Sequence, residues 1–234
     1  HPGVKKAIQV TEARLKALED TIESHRVSGE GYMAVYTPER SAKHKEIMDH
    51  FMSPEKIKAA MPAPGEKPVF IMLGGRGGSG KSWFEGKVYD PDKAIVLDAD
   101  AIKGKLPEYA GYNASQVHEE SSDILEKMVH RARALGLNVV LDATMKTAKS
   151  AMKKGEGFKG QGYSIEAHYM RLPRQEAAKR AVGRFMGKTQ RYVPVDVVLG
   201  NVSNEDSFDE VRKHADAWSF RDNNVAHGEQ PILI

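Results

Sequence analysis

Residues 73–84, LGGRGGSGKSWF, fit two phosphate-binding fingerprints at once. Gly75, Gly77 and Gly80 spell G-x-G-x-x-G, the turn that receives a dinucleotide, while Gly75, Gly80, Lys81 and Ser82 spell G-x-x-x-x-G-K-[ST], the loop that receives a nucleoside triphosphate. Both fingerprints need a strand before them and a helix after, and VFIML at 69–73 supplies the strand, with a helix expected from Lys81. Lys81 and Ser82 favour the triphosphate: an ammonium reaches the β- and γ-phosphates, and a hydroxyl holds Mg²⁺. Asp98 and Asp100 stand about 20 residues further on, where a dinucleotide site wants an acid, so this spacing alone does not exclude the dinucleotide. A turn without a ligand is the poorer account. Four glycines within positions 75–80 weaken local order, and a phosphate gives the N–H groups of Gly75, Gly77, Gly78, Ser79 and Gly80 a reason to converge.

Outward from the loop, AIVLD (94–98), NVVLD (138–142) and SIEAHYM (164–170) read as further strands, and the first two are as continuously apolar as buried parallel strands are. Helical stretches are expected from about Ser115 to Leu135 and from about Arg174 to Met186. The alternation predicts an α/β fold of the P-loop kinase type, a parallel central sheet flanked by helices. Ahead of it, Val4, Ile8, Leu15, Leu18 and Ile22 keep helical spacing and predict one amphipathic helix over 4–28. A second helix opens at Thr37-Pro38-Glu39 and carries Ile47, Met48 and Phe51. MPAPGEKP at 61–68 stops any helix, and the expected organisation is an N-terminal helical region over 1–66 and a kinase domain over 67–234.

Composition narrows the chemistry. The 234 residues include no cysteine, which removes disulfides, thiolate nucleophiles and cysteine zinc sites and is compatible with a reducing, cytoplasmic setting in the producing cell or in a target cell. No apolar run approaches the ~20 residues of a membrane span, and no signal peptide is visible. His1 rather than Met at the start suggests an excised or processed domain.

Asp98 and Asp100 lie two apart at the carboxyl end of a buried strand, where open α/β sheets bind ligands. Asp98 is expected to cap the following helix and Asp100 to accept the proton of an acceptor hydroxyl, the arrangement of a small-molecule kinase. Asp142 and Thr144 repeat the pattern as Mg²⁺ or substrate ligands, weighed evenly against an ordinary strand-end Asp. His118 and Glu120 open the long helix beside the expected cleft and are assigned to substrate, although the helix dipole alone favours acids there. On that helix Glu119 and Glu126 project away from the buried side. Residues 171–191 hold seven basic residues and one acid, and a helix would align Arg180, Arg184, Lys188 and Arg191. Arg184 and Arg191 are the candidates for cations around a transferring phosphoryl group. A polynucleotide would use the same charges, but Phe185 alone among the aromatics stands within them, which argues against a stacking groove for nucleic acid. DAWSFRDNN at 216–224 is a candidate lining for an adenine pocket through its Trp and Asn side chains.

Taken in order, LGGRGGSGKS, VLDADAIK, LPEY, VHEESS and VVLDAT resemble the zeta toxin family of P-loop kinases from about Val69 to Arg191. The resemblance implies transfer of the ATP γ-phosphate, with Mg²⁺, to the 3′-hydroxyl of UDP-N-acetylglucosamine, or to NAD as in related members from bacterial pathogens. It implies Asp100 as base, Lys81 and Ser82 as the ATP and Mg²⁺ groups, Arg184 and Arg191 as lid arginines, and Lys103 and Glu126 as substrate contacts. Where the family often has Glu followed by Gly, this chain has Asp142-Ala143. A helical antitoxin is the implied partner, and the N-terminal helix acting in cis is an alternative occupant of the cleft. A polynucleotide 5′-kinase and a non-catalytic nucleotide-dependent interaction module are the other functions considered.

Overall fold

The computed structural model describes residues 1–234. The single helix expected over 4–28 is two: α1 (Pro2–Lys16) ends at Ala17, and α2 (Thr21–His25) starts afresh where the Asp20 side chain accepts the Ile22 N–H at 3.1 Å. Leu18 and Ile22 keep the apolar register across this break, so spacing alone misses it; the capping Asp20 was the local signal. A small antiparallel pair follows, β1 (Arg26–Ser28) and β2 (Val35–Tyr36). Its turn uses Gly29 at φ 69°, where a Cβ would come 2.5 Å from the Met33 carbonyl oxygen. Then come α3 (Pro38–Phe51) and α4 (Pro54–Ala59), each with proline in its first turn.

β3 (Val69–Gly74), β4 (Ile95–Asp98), β5 (Val139–Asp142), β6 (Ser164–Arg171), β7 (Ala217–Asp222) and β8 (Ile232–Leu233) form one sheet in the order β4-β5-β3-β6-β7-β8. All pairs are parallel except β7 with β8. The helices around it are α5 (Ala99–Lys103), α6 (His118–Ala134), α7 (Ala148–Lys159), α8 (Arg174–Met186), α9 (Val195–Gly200) and α10 (Asn204–Val211). From β3 the chain runs outward to β4 and later returns to the other side at β6, so a ligand crevice opens at the carboxyl end of β3. No helix is long and apolar enough to cross a membrane.

The helix expected from Lys81 does not form. Residues Lys81–Phe84 make one 3₁₀ turn, and Gly86 N donates to Tyr89 O at 2.8 Å to close a loop in its place. Gly86 at φ 71° and Pro91 interrupt any helical run, while fully buried Phe84 packs with Ile71, Leu73, Val140 and Met170 on that face of the sheet. On the other face lies the main core, which joins Ile47, Met52 and Ala60 to Phe70, Leu97, Ile124 and Phe158. The boundary expected at 61–68 falls in a connection, yet the helices before it pack into the same core as the sheet. Ala60 O also accepts the Asn138 N–H at 2.8 Å.

Candidate active site

The carboxyl ends of β3, β4 and β5 open on a cavity of ≈ 980 Å³. The phosphate loop enters it through Gly77, Gly78, Gly80, Lys81 and Ser82, while Gly75 and Ser79 are buried beneath. Gly75, Gly78 and Gly80 take φ of 138°, 85° and 92°, a region that L side chains avoid, which is why these positions are glycine. Lys81 Nζ donates to Gly75 O at 2.8 Å and lies 3.5 Å from Asp142 Oδ1. The loop is pinned from outside the motif. Arg76, 3% exposed, donates through Nη2 to Glu205 Oε2 at 2.7 Å and to Asn201 O at 2.6 Å, and Asn223 Nδ2 donates to Ser79 O at 2.7 Å. Arg76 was not assigned from the sequence, while Asn223 falls in the 216–224 stretch expected to line an adenine pocket. Position 76 is a free position of the motif, and its partners lie more than a hundred residues away.

Asp98 caps α5 as expected, its Oδ1 accepting Asp100 N at 2.9 Å. The Asp100 carboxylate meets Arg191 Nη2 at 2.7 Å and Lys103 Nζ at 3.6 Å. Burial lowers the pKa of Lys103, with Asp100 opposing and Arg191 adding to the shift. His118 also lines the cavity, and burial, reinforced by Lys103, lowers its pKa. Asp142 faces Asp98 across the β4–β5 register; burial pushes its pKa up to about 6, against the pull of Lys81. Thr144 lines the cavity and its carbonyl accepts Asn204 Nδ2 at 2.8 Å.

α8 ends at Met186, so the expected alignment of four cations holds only for Arg180 and Arg184. Lys188 is exposed, and Arg191 reaches the cavity from the segment after the helix. Arg180 Nη1 donates to Gly78 O at 3.0 Å. Arg184 has no carboxylate partner; burial lowers its pKa, and Arg191 and Arg180 repel its charge. The Nε atoms of Arg184 and Arg191 are both buried without a hydrogen-bond partner. A second cavity of ≈ 300 Å³ lies beside the loop, lined by Arg180, Asn223, Val225, His227 and Glu229 among others.

Two expected substrate residues are not brought to the cavity. Glu120 is fully buried and accepts from Arg40 Nη2 at 2.8 Å, with His44 Nε2 at 3.1 Å. Burial opposes its ionisation, but the bonds to Arg40 and His44 outweigh that and hold its pKa down to about 2. The helix-start position is thus used for packing α3 against α6. Glu126 pairs with Lys154 at 2.8 Å, and of the two only Lys154 lines the cavity. Trp218 lies under Arg212, 4.7 Å from its ring centroid, and beside Phe208, so of the 216–224 stretch it is Asn223, not Trp218, that lines the second cavity.

Among known proteins, the chain is similar to toxin zeta of Enterococcus hirae, 24% identical over 136 residues, which are 54% of this chain and 45% of that protein. Toxin PezT of Streptococcus pneumoniae serotype 4 is 22% identical over 116 residues, 43% of this chain and 44% of its own length. The aligned part therefore spans less than half the length of these curated relatives. Solved structures share the fold. The AvrRxo1-ORF1:AvrRxo1-ORF2 complex with ATP matches with a TM-score of 0.71 and 15% identity over 93% of this chain and 76% of that one. A structure from the PezAT chromosomal toxin-antitoxin system of Streptococcus pneumoniae matches with a TM-score of 0.57 and 16% identity over 80% and 77%. The Zeta toxin family model matches residues 54–225, well over half of the sequence, and the chain belongs to the Zeta toxin family.

Proposed function

We propose that the chain is a phosphotransferase that moves the ATP γ-phosphate onto a hydroxyl of a nucleotide-type acceptor, in first place the 3′-hydroxyl of UDP-N-acetylglucosamine. One observation carries the reading: Asp100, held by Arg191 and Lys103, shares a single cavity with Lys81 and Ser82. The phosphates of ATP lie along the loop amides and Lys81, and the adenine in the adjoining cavity between Arg180 and Asn223. Arg184, half-buried and without a carboxylate partner, fits an incoming anion. No cluster of three or more His, Asp or Glu side chains is arranged to hold a metal. That suits Mg²⁺, which keeps waters and phosphate oxygens as ligands; Ser82 and Asp142 would hold it, and it would neutralise charge between the β- and γ-phosphates.

In the transfer, the acceptor hydroxyl gives its proton to an Asp100 carboxylate oxygen while its own oxygen bonds the γ-phosphorus. The bond to the β–γ bridging oxygen breaks and ADP carries that oxygen away. Arg191 orients Asp100, and Arg184 and Lys81 balance charge on the transferring group. Lys103, Lys146 and Lys154 also line the cavity and supply cations for an acceptor that itself bears phosphates. The Asp142-Ala143 pair, in place of Glu-Gly, weighs against the amino sugar, and a ribose hydroxyl of NAD is the second acceptor considered.

The test incubates the chain with Mg²⁺ and γ-labelled ATP against UDP-N-acetylglucosamine, NAD and a 5′-hydroxyl oligonucleotide. Label on the first acceptor, reduced about 10²- to 10⁴-fold by Asp100→Asn, supports the leading reading, and label on NAD supports the second. Label confined to the oligonucleotide, or none on any acceptor, overturns both.

A further inference from the structure

Part of the cavity is walled by α1, which lies outside the sheet and its loops. Leu15 lines it together with Tyr112, His118 and Leu125. The preceding residue, Arg14, sets its guanidinium carbon 4.2 Å from the centroid of the Tyr112 ring. Glu12 accepts a 2.8 Å hydrogen bond from the hydroxyl of Tyr192, a buried residue next in the chain to Arg191. Where α1 ends, Glu19 O accepts Gln116 Nε2 at 3.0 Å, which fixes the helix to the loop that carries Tyr112. Thr11 is the only residue that α1 buries, so core packing does not account for this set of contacts. His118 shares this lining with Asp100 and Lys103, so the wall belongs to the cavity that holds Asp100.

We propose that Tyr112, backed by Arg14 and flanked by Leu15, is the platform on which the aromatic base of the acceptor stacks, so that α1 is a working wall of the acceptor site. The inference rests on the phosphotransferase reading. A base has two apolar faces and packs on an aromatic ring whatever its identity, while a guanidinium on the ring fixes its orientation. With the adenine of ATP assigned to the second cavity in the proposed function, Tyr112 is left to the acceptor. The Glu12–Tyr192 bond ties the wall to the segment that carries Arg191.

The test uses the full chain and titration calorimetry with UDP-N-acetylglucosamine, NAD and N-acetylglucosamine 1-phosphate, which lacks a base, and with ATP separately. Tyr112→Ala is expected to weaken the base-bearing probe by about tenfold or more with ATP affinity retained, and Tyr112→Phe to recover the loss. Arg14→Ala and Leu15→Ala act in the same direction with smaller effect. Unchanged affinity in Tyr112→Ala, equal binding of the probe without a base, binding of neither UDP-N-acetylglucosamine nor NAD, or tighter binding in the α1 variants would each overturn the platform. Failure of the parent chain to bind ATP instead sinks the phosphotransferase reading itself.

Discussion

Asp142 faces Asp98 across two parallel strands with the Lys81 ammonium 3.5 Å away, and burial raises its pKa to about 6. The folded chain therefore holds this proton more tightly than the unfolded chain does. The stabilisation is full below about pH 4 and is lost as pH rises through about 6. Asp142→Asn is expected to melt above the parent at pH 7.5, with the difference vanishing near pH 4; thermal melts across that range check it, and a difference independent of pH would contradict it. Arg76 and Glu205 give a second, asymmetric case. Arg76 is 3% exposed whereas the Glu205 side chain is 29% exposed, so Glu205→Met strands a buried cation and Arg76→Met frees an anion that can reach water. The first should cost about 3–5 kcal/mol and the second clearly less, by urea denaturation. Lys81, Ser82 and Asp100 were expected to meet from their motif spacing and strand-end position, and they line one cavity. Arg76 was not legible, since its partners are set by the fold, and Glu120 was misread because a helix start favours an acid whether or not a substrate is near.

At the scale of elements, strands buried on both faces announced themselves. β3, β4 and β5 are apolar runs or nearly so, and β6 alternates polar Ser164, Glu166 and His168 with apolar residues, whereas β7 has intermediate or exposed residues throughout and went unassigned as a strand. The tight glycine turn after β3 was legible but not its continuation, because the missing helix depends on Gly86, Pro91 and the burial of Phe84. That loop is instead clamped to the C-terminal segment. A Cβ at Gly80, whose φ is 92°, would come 2.4 Å from Asn223 Nδ2, the atom that bonds Ser79 O. Gly80→Ala is expected to destabilise the chain by about 1–2 kcal/mol and to weaken ATP binding. Asn223→Ala, by clearing the clash, should make the pair of substitutions less damaging than their sum. A double-mutant cycle read by denaturation and by ATP titration decides the point, and strict additivity would mean that the two side chains do not meet.

Across the whole molecule, the N-terminal segment is joined to α6 by polar groups that water does not reach. Glu120 is wholly buried against Arg40 and His44, and Asp123, 3% exposed, accepts from Tyr36 Oη at 2.6 Å and Gly31 N at 2.7 Å. Because its pKa is depressed from 4.5 to about 2, Glu120 contributes stability above its ordinary value and loses it as pH falls toward 2. The proline-rich stretch at 61–68 suggests a boundary because a helix cannot cross it, but a chain break in helix is not a break in packing. A chain beginning at residue 61 would lack Ile47, Met52 and Ala60 from the core, uncover the apolar residues they pack on and strip Glu120 and Asp123 of their partners. It is expected to lose its cooperative transition and to bind an apolar dye. A chain beginning at residue 19 keeps every one of those contacts and gives up a helix that buries only Thr11. It should still unfold cooperatively, with a midpoint within a few degrees of the parent, as circular dichroism melts of the two truncations would establish. Cooperative unfolding of the shorter chain would instead make residues 61–234 an independent unit, and the carboxylates of Glu120 and Asp123 would then have lost their partners without cost.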